Sequence, residues 1–134
     1  MSIKKKILLS LGAMIVSSST ILAMNPSASA APSTFYKTCR RITMRGSLLT
    51  ASCRKINGGY RGTSLRLIGM HNSNGRLVFS RKMGIKSSFQ RSCGKIRIRR
   101  DVLSASCRTR NGKVRRTSFR LENIHNRNGF LRNS

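Results

Sequence analysis

The chain has 134 residues and carries 28 Lys and Arg against two acids, which gives a formal net charge of +26. The two acids, Asp101 and Glu122, cannot supply the paired carboxylates of a typical glycosidase or an oxygen cage for a calcium ion. Most of the cations must therefore lie in water or meet an anionic partner. Because 38% of the residues are hydrophobic and four are Cys, we expect a folded body rather than a disordered basic tail.

The first thirty residues have the pattern of a signal peptide. Lys4, Lys5 and Lys6 precede an apolar stretch over 7–16, and Ala28-Ser29-Ala30 supplies the small residues of a cleavage site. The alternative, an uncleaved membrane anchor, needs a longer apolar stretch. We predict a signal peptide over 1–30 with cleavage near Ala30, and a secreted or periplasmic mature protein that keeps 25 of the 28 bases.

The rest of the chain is an internal duplication. An offset of 54 residues aligns 35–80 with 89–134 without a gap and gives 22 identities in 46 positions. The alignment pairs Cys39 with Cys93 and Cys53 with Cys107. We predict one domain over 31–134 that consists of repeat one (34–80), a linker (81–88) and repeat two (89–134).

Both repeats have the patterns of β-strands. Polar and apolar residues alternate over 63–67 and 117–121, as in strands with one buried face. Asn74-Gly75 and Asn128-Gly129 are pairs that favour type I′ hairpin turns, whose central residues both need positive φ. Since no stretch shows a sustained period of 3.6 residues, we predict an all-β fold.

The four cysteines of an exported chain predict two disulfides, for which three pairings exist. The duplication favours Cys39 with Cys53 and Cys93 with Cys107, because each repeat then has its own cross-link. A zinc site is the alternative, but the spacing lacks any C-x₂-C pair. We predict no metal and no cofactor.

These motifs resemble those of the cyanovirin-N homology (CVNH) family. The motifs of repeat one are Phe35-x-x-Thr38-Cys39, Leu49-Thr50-Ala51-Ser52-Cys53, Asn57-Gly58-Gly59-Tyr60 and Asn72-x-Asn74-Gly75-x-Leu77, and repeat two shows the same pattern over 89–131. The resemblance implies a lectin that binds mannose-type oligosaccharides without a metal. It also implies two pseudo-symmetric halves, each formed by a three-stranded sheet from one repeat and a β-hairpin from the other.

The resemblance further implies that some members exchange halves between two chains, with the segment between the repeats as the hinge. Here that segment, Ser80 to Ser88, is several residues longer than in the founding member. A longer hinge relaxes the strain that promotes exchange, so we predict a monomer.

The resemblance also implies one sugar site in each half. The first-half positions are Thr34, Lys37, Thr38, Arg54 and Ile56, with Asn126, Arg127 and Asn128 from the opposite hairpin. The second-half positions are Arg91, Ser92, Arg108, Thr109 and Arg110, with Asn72 and Asn74 from the opposite hairpin. Arg54 and Arg91 stand where the family often has glutamate, and arginine offers donors only. The second half keeps more of the pattern, so it is the predicted mannose site if only one of the two halves binds mannose. For Asn74 and Asn128 the alternative role is turn formation alone.

The arginine content leaves a second function open, namely polyanion binding on the same scaffold. Acidic polysaccharide, lipopolysaccharide and extracellular nucleic acid are the candidate ligands, because guanidinium forks match phosphate and carboxylate groups. The arginines that motivate it are Arg54, Arg91, Arg97, Arg99, Arg100, Arg108, Arg110, Arg115, Arg116 and Arg120. A charged surface that is merely solvated is the alternative to this function.

We do not predict an enzyme. His71 and His125 occupy equivalent positions before the hairpin turns, where a structural or surface role is expected. Neither a nucleophile with a positioned base nor a pair of acids in a recognisable motif is present in the sequence.

Overall fold

The structure, a computed structural model, describes residues 31–80 and 84–133. The predicted signal peptide and residues 81–83 of the predicted linker lie outside this part. From Pro32 onward the described residues belong to one compact unit. Within the described ranges, no helix is long and apolar enough to cross a membrane.

Each repeat folds into a three-stranded antiparallel sheet followed by a β-hairpin. Repeat one supplies β1 (Cys39–Arg45), β2 (Leu48–Arg54), β3 (Tyr60–Arg66), β4 (Met70–Ser73) and β5 (Arg76–Phe79). Repeat two supplies β6 (Cys93–Arg99), β7 (Val102–Arg108), β8 (Val114–Arg120), β9 (Ile124–Arg127) and β10 (Phe130–Asn133). The strand orders β1-β2-β3 and β6-β7-β8 follow the chain, with β4-β5 and β9-β10 as separate hairpins. The all-β prediction is confirmed.

The hairpins are exchanged between the repeats. The β9-β10 hairpin packs against β3, and the β4-β5 hairpin packs against β8. Leu131 N donates to Thr63 Oγ1 at 3.2 Å, and Leu77 N donates to Thr117 Oγ1 at 3.1 Å. Each half of the domain is therefore formed by both repeats, as the family resemblance implied.

A short 3₁₀ helix precedes each sheet, at Phe35–Lys37 and Phe89–Arg91. Phe35 and Phe89 are fully buried and occupy equivalent places in the hydrophobic core. Other core residues come from the inner faces of the sheets and from the hairpins: Leu49, Ala51, Leu67, Met70, Leu77, Leu103, Ala105, Leu121, Ile124 and Leu131. Because every hairpin places apolar residues in this core, its docking removes apolar surface from water.

Two disulfides, Cys39–Cys53 and Cys93–Cys107, join the first two strands of each sheet. They are the pairings that the duplication favoured. Each closes a loop with a sequence separation of 14, and a loop of this size is worth about 3 kcal/mol in the chain-entropy account. This cross-link compensates for the small core of each half.

The hairpin turns have the backbone that their sequence predicts. Asn74 and Gly75 have φ values of 49° and 89°, and Asn128 and Gly129 have 50° and 90°. Positive φ at both central residues defines the type I′ turn, whose twist suits a two-residue hairpin.

A β-bulge interrupts the first strand of each sheet. Arg40 pairs with Ser52 and Thr43 pairs with Thr50, so two residues of β1 stand opposite one residue of β2. The bulge of β6 is equivalent and lies between Gly94 and Arg97. The two residues that flank each bulge therefore project from the same face of the sheet although they are three positions apart.

The duplication continues into the segment that the sequence assigned to the linker. Ser87 Oγ donates to the Leu67 carbonyl and accepts from Met70 N. Ser33, 54 residues earlier, makes the same two contacts with repeat two. The end of the predicted linker is thus part of the folded domain.

Candidate functional site

Asn126 fastens the second hairpin to the sheet of repeat one. Its Nδ2 donates to Thr38 Oγ1 and to the Arg54 carbonyl, both at 2.9 Å, and its Oδ1 accepts from Gly129 N at 2.8 Å. Three predicted first-half site residues are therefore brought together. Both amide hydrogens of Asn126 are used by the protein itself.

Asn72 makes the same connections in the second half. Its Nδ2 donates to Ser92 Oγ and to the Arg108 carbonyl, both at 2.9 Å. Its Oδ1 accepts from Gly75 N at 2.7 Å. Asn72 therefore fixes the positions of two other predicted site residues.

The asparagines of the hairpin turns also bridge the repeats. Asn128 Oδ1 accepts from Ile56 N, and Asn74 Oδ1 accepts from Arg110 N, each at 2.9 Å. These two side chains do more than form turns, because each holds a loop of the opposite repeat. Direct contact of any of these residues with a sugar stays a prediction.

The remaining predicted first-half residues are at the surface. Thr34 Oγ1 is 2.6 Å from His125 Nδ1, and Lys37 and Arg127 are exposed. The Ile56 side chain is 90% exposed. His71 Nδ1 makes the equivalent contact with Ser88 Oγ at 2.7 Å, so both histidines tie a hairpin to the segment before a 3₁₀ helix.

In the second half, the predicted residue Thr109 has its hydroxyl engaged within its own loop. Its Oγ1 donates to Asn111 Oδ1 and accepts from Lys113 N at 3.1 Å. Arg110 is exposed, and its backbone N is held by the opposite hairpin.

The second half contains an open cleft of about 460 Å³. Its lining residues come from the second 3₁₀ helix and the three strands of the second sheet: Arg91, Ser92, Cys93, Gly94, Lys95, Ser106, Arg108 and Val114. Arg91, Ser92 and Arg108 were predicted as site residues. Sequence reasoning missed the other five, because the strand register and the β6 bulge bring them together.

The first half differs from the second at this place. The duplication puts Arg40 at the position of Gly94 and Tyr60 at the position of Val114. The guanidinium of Arg40 lies over the Tyr60 ring, with 3.7 Å between Cζ and the ring centroid. In the first half, a cation–π pair therefore occupies the place at which Gly94 and Val114 line the cleft of the second half.

Cations dominate the cleft. Arg91, Lys95 and Arg108 line it, and its eight lining residues within the described chain include no acid. Arginine and lysine offer donors and no acceptor, so acceptor capacity falls to the hydroxyls of Ser92 and Ser106 and to the backbone. Val114, which is 67% exposed, adds an apolar wall. The cleft can thus bind a ligand rich in oxygen atoms that also has an apolar patch.

A sequence profile of the CVNH domain family matches residues 35–132, and the chain belongs to this family. The family consists of lectins, which bind carbohydrate and have no catalytic activity.

Solved structures of the family share the fold. A MoCVNH3 variant (Mo0v), crystallised in complex with (N-GlcNAc)4, is 22% identical with a TM-score of 0.64, and the match covers 78% of this chain and 99% of that one. The CVNH protein of T. borchii is 24% identical with a TM-score of 0.63, covering 75% and 99%. Microvirin, in a complex with mannobiose, is 27% identical with a TM-score of 0.59, covering 77% and 99%.

Proposed function

We propose that this protein is a secreted lectin that binds mannose-type oligosaccharides in the cleft of its second half. The observation that carries the proposal is the open cleft beside Gly94 and Val114, at a place where the first half has the Arg40–Tyr60 pair. The predicted signal peptide supports export, and the long inter-repeat segment supports a monomer.

The chemistry of the cleft suits a sugar ring. Hydroxyls of Ser92 and Ser106 can both donate and accept, as a saccharide requires, and Arg108 adds donors. The apolar face of a pyranose can lie on Val114. Because Asn72 holds Ser92 and the Arg108 backbone, part of the cleft is set before a ligand arrives, which lowers the cost of binding.

The choice of mannose rests on the family resemblance and on the mannobiose complex of microvirin. The GlcNAc oligomer bound to the MoCVNH3 variant makes that sugar the principal competitor. Both of these ligands are neutral, whereas this cleft is cationic. Any test should therefore compare mannobiose with the GlcNAc oligomer.

The test is to fill the second cleft with the residues of the first. The double variant Gly94→Arg with Val114→Tyr reproduces a pair that the same fold accommodates at Arg40 and Tyr60. A Cβ at Gly94 would have no neighbour within 4 Å, so the substitution fits the strand. We expect loss of at least tenfold in affinity for mannobiose, measured by calorimetry at high salt, where non-specific charge attraction is screened.

The matched control is Arg45→Thr with Tyr60→Phe, which changes two exposed residues of the first sheet and leaves the second cleft unaltered. Its affinity should equal that of the wild type. If mannobiose does not bind the wild type, or binds the filled variant as tightly as the wild type, the proposed function is wrong. Binding of (GlcNAc)4 without mannobiose would make the GlcNAc oligomer the ligand instead.

A further inference from the structure

The outer face of the second sheet carries a dense group of arginines. Directly paired residues of an antiparallel sheet share a face. The rows of this face are Arg99-Val102-Arg120, Arg97-Ser104-Ser118 and Gly94-Ser106-Arg116. We call it the arginine face. It continues into the cleft, because Gly94 and Ser106 belong to both.

The arginine face is a strip along β7, with one line of cations on β6 and another on β8. Arg97 and Arg99 on β6 are exposed, as are Arg116 and Arg120 on β8. The intervening strand β7 has short side chains on this face. The two lines are about 10 Å apart across the sheet, and Arg97 and Arg99 are about 7 Å apart along β6. An extended polymer chain fits along such a strip.

Few acids are available to neutralise this charge. The chain has two acids in total, and neither belongs to the rows of the arginine face. Asp101 is buried in the turn before β7 and pairs with Arg120 at 2.7 Å. Glu122 follows the end of β8. Arg97, Arg99 and Arg116 thus repel one another on the sheet surface unless an external anion lies between them.

The first sheet provides an internal comparison. At the positions of Arg97 and Arg116 it has Thr43 and Gly62, and Thr43 Oγ1 is 2.6 Å from the hydroxyl of Thr50. Its middle row is therefore uncharged. The same fold does not require arginines at these places, and in the second sheet they lie on the face that continues into the cleft.

We propose that the arginine face binds a linear anionic polysaccharide, with sulfate or carboxylate groups held by Arg97, Arg99 and Arg116. Guanidinium groups pair with such oxyanions through two parallel hydrogen bonds. The apolar member of the rows is Val102, so the face offers no aromatic ring on which nucleic-acid bases could stack. This site goes beyond the proposed function and does not depend on which neutral sugar enters the cleft.

The experiment measures binding of a size-defined dextran sulfate over a series of salt concentrations. The variant Arg97→Thr with Arg116→Ser makes the arginine face resemble the first sheet. We expect about a tenfold or greater loss of affinity at low salt, and a decrease of about 1.4 to 1.8 in the magnitude of the slope of log K against log salt, as for the loss of two ionic contacts. The matched control, Arg45→Thr with Arg132→Ser, removes two exposed charges elsewhere and should retain most of both values.

Each of the following outcomes would overturn the proposal. The wild type fails to bind dextran sulfate at low salt, or binds uncharged dextran equally well. The control loses as much affinity as the test variant, which would mean that net charge alone attracts the polymer. A single-stranded oligonucleotide of equal charge binds more tightly and depends equally on Arg97 and Arg116, which would make nucleic acid the ligand.

A parallel titration with mannobiose separates the two proposals. The Arg97→Thr, Arg116→Ser variant should keep its mannobiose affinity. The filled-cleft variant adds a cation at position 94 of the arginine face, so it should bind dextran sulfate at least as tightly as the wild type. Loss of both ligands in the first variant would show that the arginine face has no role of its own and would overturn this inference.

Discussion

The guanidinium of Arg40 lies 3.7 Å from the centroid of the Tyr60 ring, and no such pair exists at the equivalent positions, which are Gly94 and Val114. Two halves that share fold, disulfide position and hairpin docking thus differ at the place where the second half has its cleft. Under the proposed function, substitutions at these positions should change the number of sugar sites per chain.

Opening the first half should create a second site. In the variant Arg40→Gly with Tyr60→Val, we expect the stoichiometry of mannobiose binding, measured by calorimetry, to rise from one to two per chain. The reason is that both residues then match those lining the second cleft. Tyr60→Phe keeps the ring face under Arg40 and should leave the stoichiometry at one. A folded double variant that still binds one sugar would contradict the prediction.

Removing Arg120 from its ion pair with Asp101 should lower the free energy of unfolding more than replacing Asp101 does. Asp101 is 3% exposed, and Arg120→Ala would leave its carboxylate without the cation, which we expect to lower the free energy of unfolding by about 1–3 kcal/mol. Asp101→Ser should cost less than about 1 kcal/mol, because Ser47 accepts from Arg66 Nη1 at 3.1 Å at the same place in repeat one.

Urea unfolding of the two variants measures the difference. Arg66→Ala is the control, since it removes the cation from a neutral partner and should cost about 0.5–1.5 kcal/mol. The prediction is wrong if Asp101→Ser destabilises the protein as much as Arg120→Ala does.

Asn126 and Asn72 should differ in their effects although their contacts are equivalent. In each case, replacement by alanine removes two donated hydrogen bonds and one accepted hydrogen bond, so each variant should be destabilised by about 2–4 kcal/mol. Only Asn72→Ala should also weaken mannobiose binding, because Asn72 holds Ser92 and Arg108 beside the cleft. In the proposed site, Asn72 would act as a positioning residue.

The readout for this pair is calorimetric affinity below the unfolding transition, together with urea unfolding. Asn133→Ala, an exposed change in β10, should stay within about 0.5 kcal/mol of the wild type. Equal loss of affinity in the Asn72 and Asn126 variants would show that the effect comes from stability alone.

Alanine substitutions at two glycines distinguish the cost of backbone strain from the cost of steric overlap. Gly75 and Gly112 have φ values of 89° and 85°, but a Cβ at Gly75 would lie 2.8 Å from Thr109 Cγ2, whereas one at Gly112 would have no neighbour within 4 Å. Gly112→Ala should therefore cost only the left-handed conformation, about 1–2 kcal/mol. Gly75→Ala should cost about 1–3 kcal/mol more, because it forces the hairpin away from the opposite repeat. Equal midpoints in thermal unfolding would refute this.

The sequence was sufficient for the fold because the duplication, the Asn-Gly turns and the cysteine spacing all indicate the same structure. The Asn74-Gly75 pair predicts a hairpin by itself. The pairing of Cys39 with Cys53 is favoured because the same two cysteines recur 54 residues later. The exchange of hairpins could be expected only from the family resemblance, since no local pattern states which sheet a hairpin will meet.

The cleft and the arginine face were harder to predict. Gly94 and Arg97 are three residues apart, and simple alternation assigns them to opposite faces of a strand. The bulge after Gly94 reverses that assignment, with Lys95 at a φ of 49°. A lysine at this position gives no signal of positive φ, in contrast to glycine or asparagine. Hence Gly94, Ser106 and Val114 were missed as a group.

The exchanged hairpins also constrain the order in which the chain can reach its native state. Closure of the first half requires Asn126 to meet Thr38, a contact that spans 88 residues. During synthesis, the half that contains the sheet of repeat one cannot be completed until the β9-β10 hairpin has been made. Contacts of such long range slow folding, and a lone repeat would have to find its missing hairpin on another molecule.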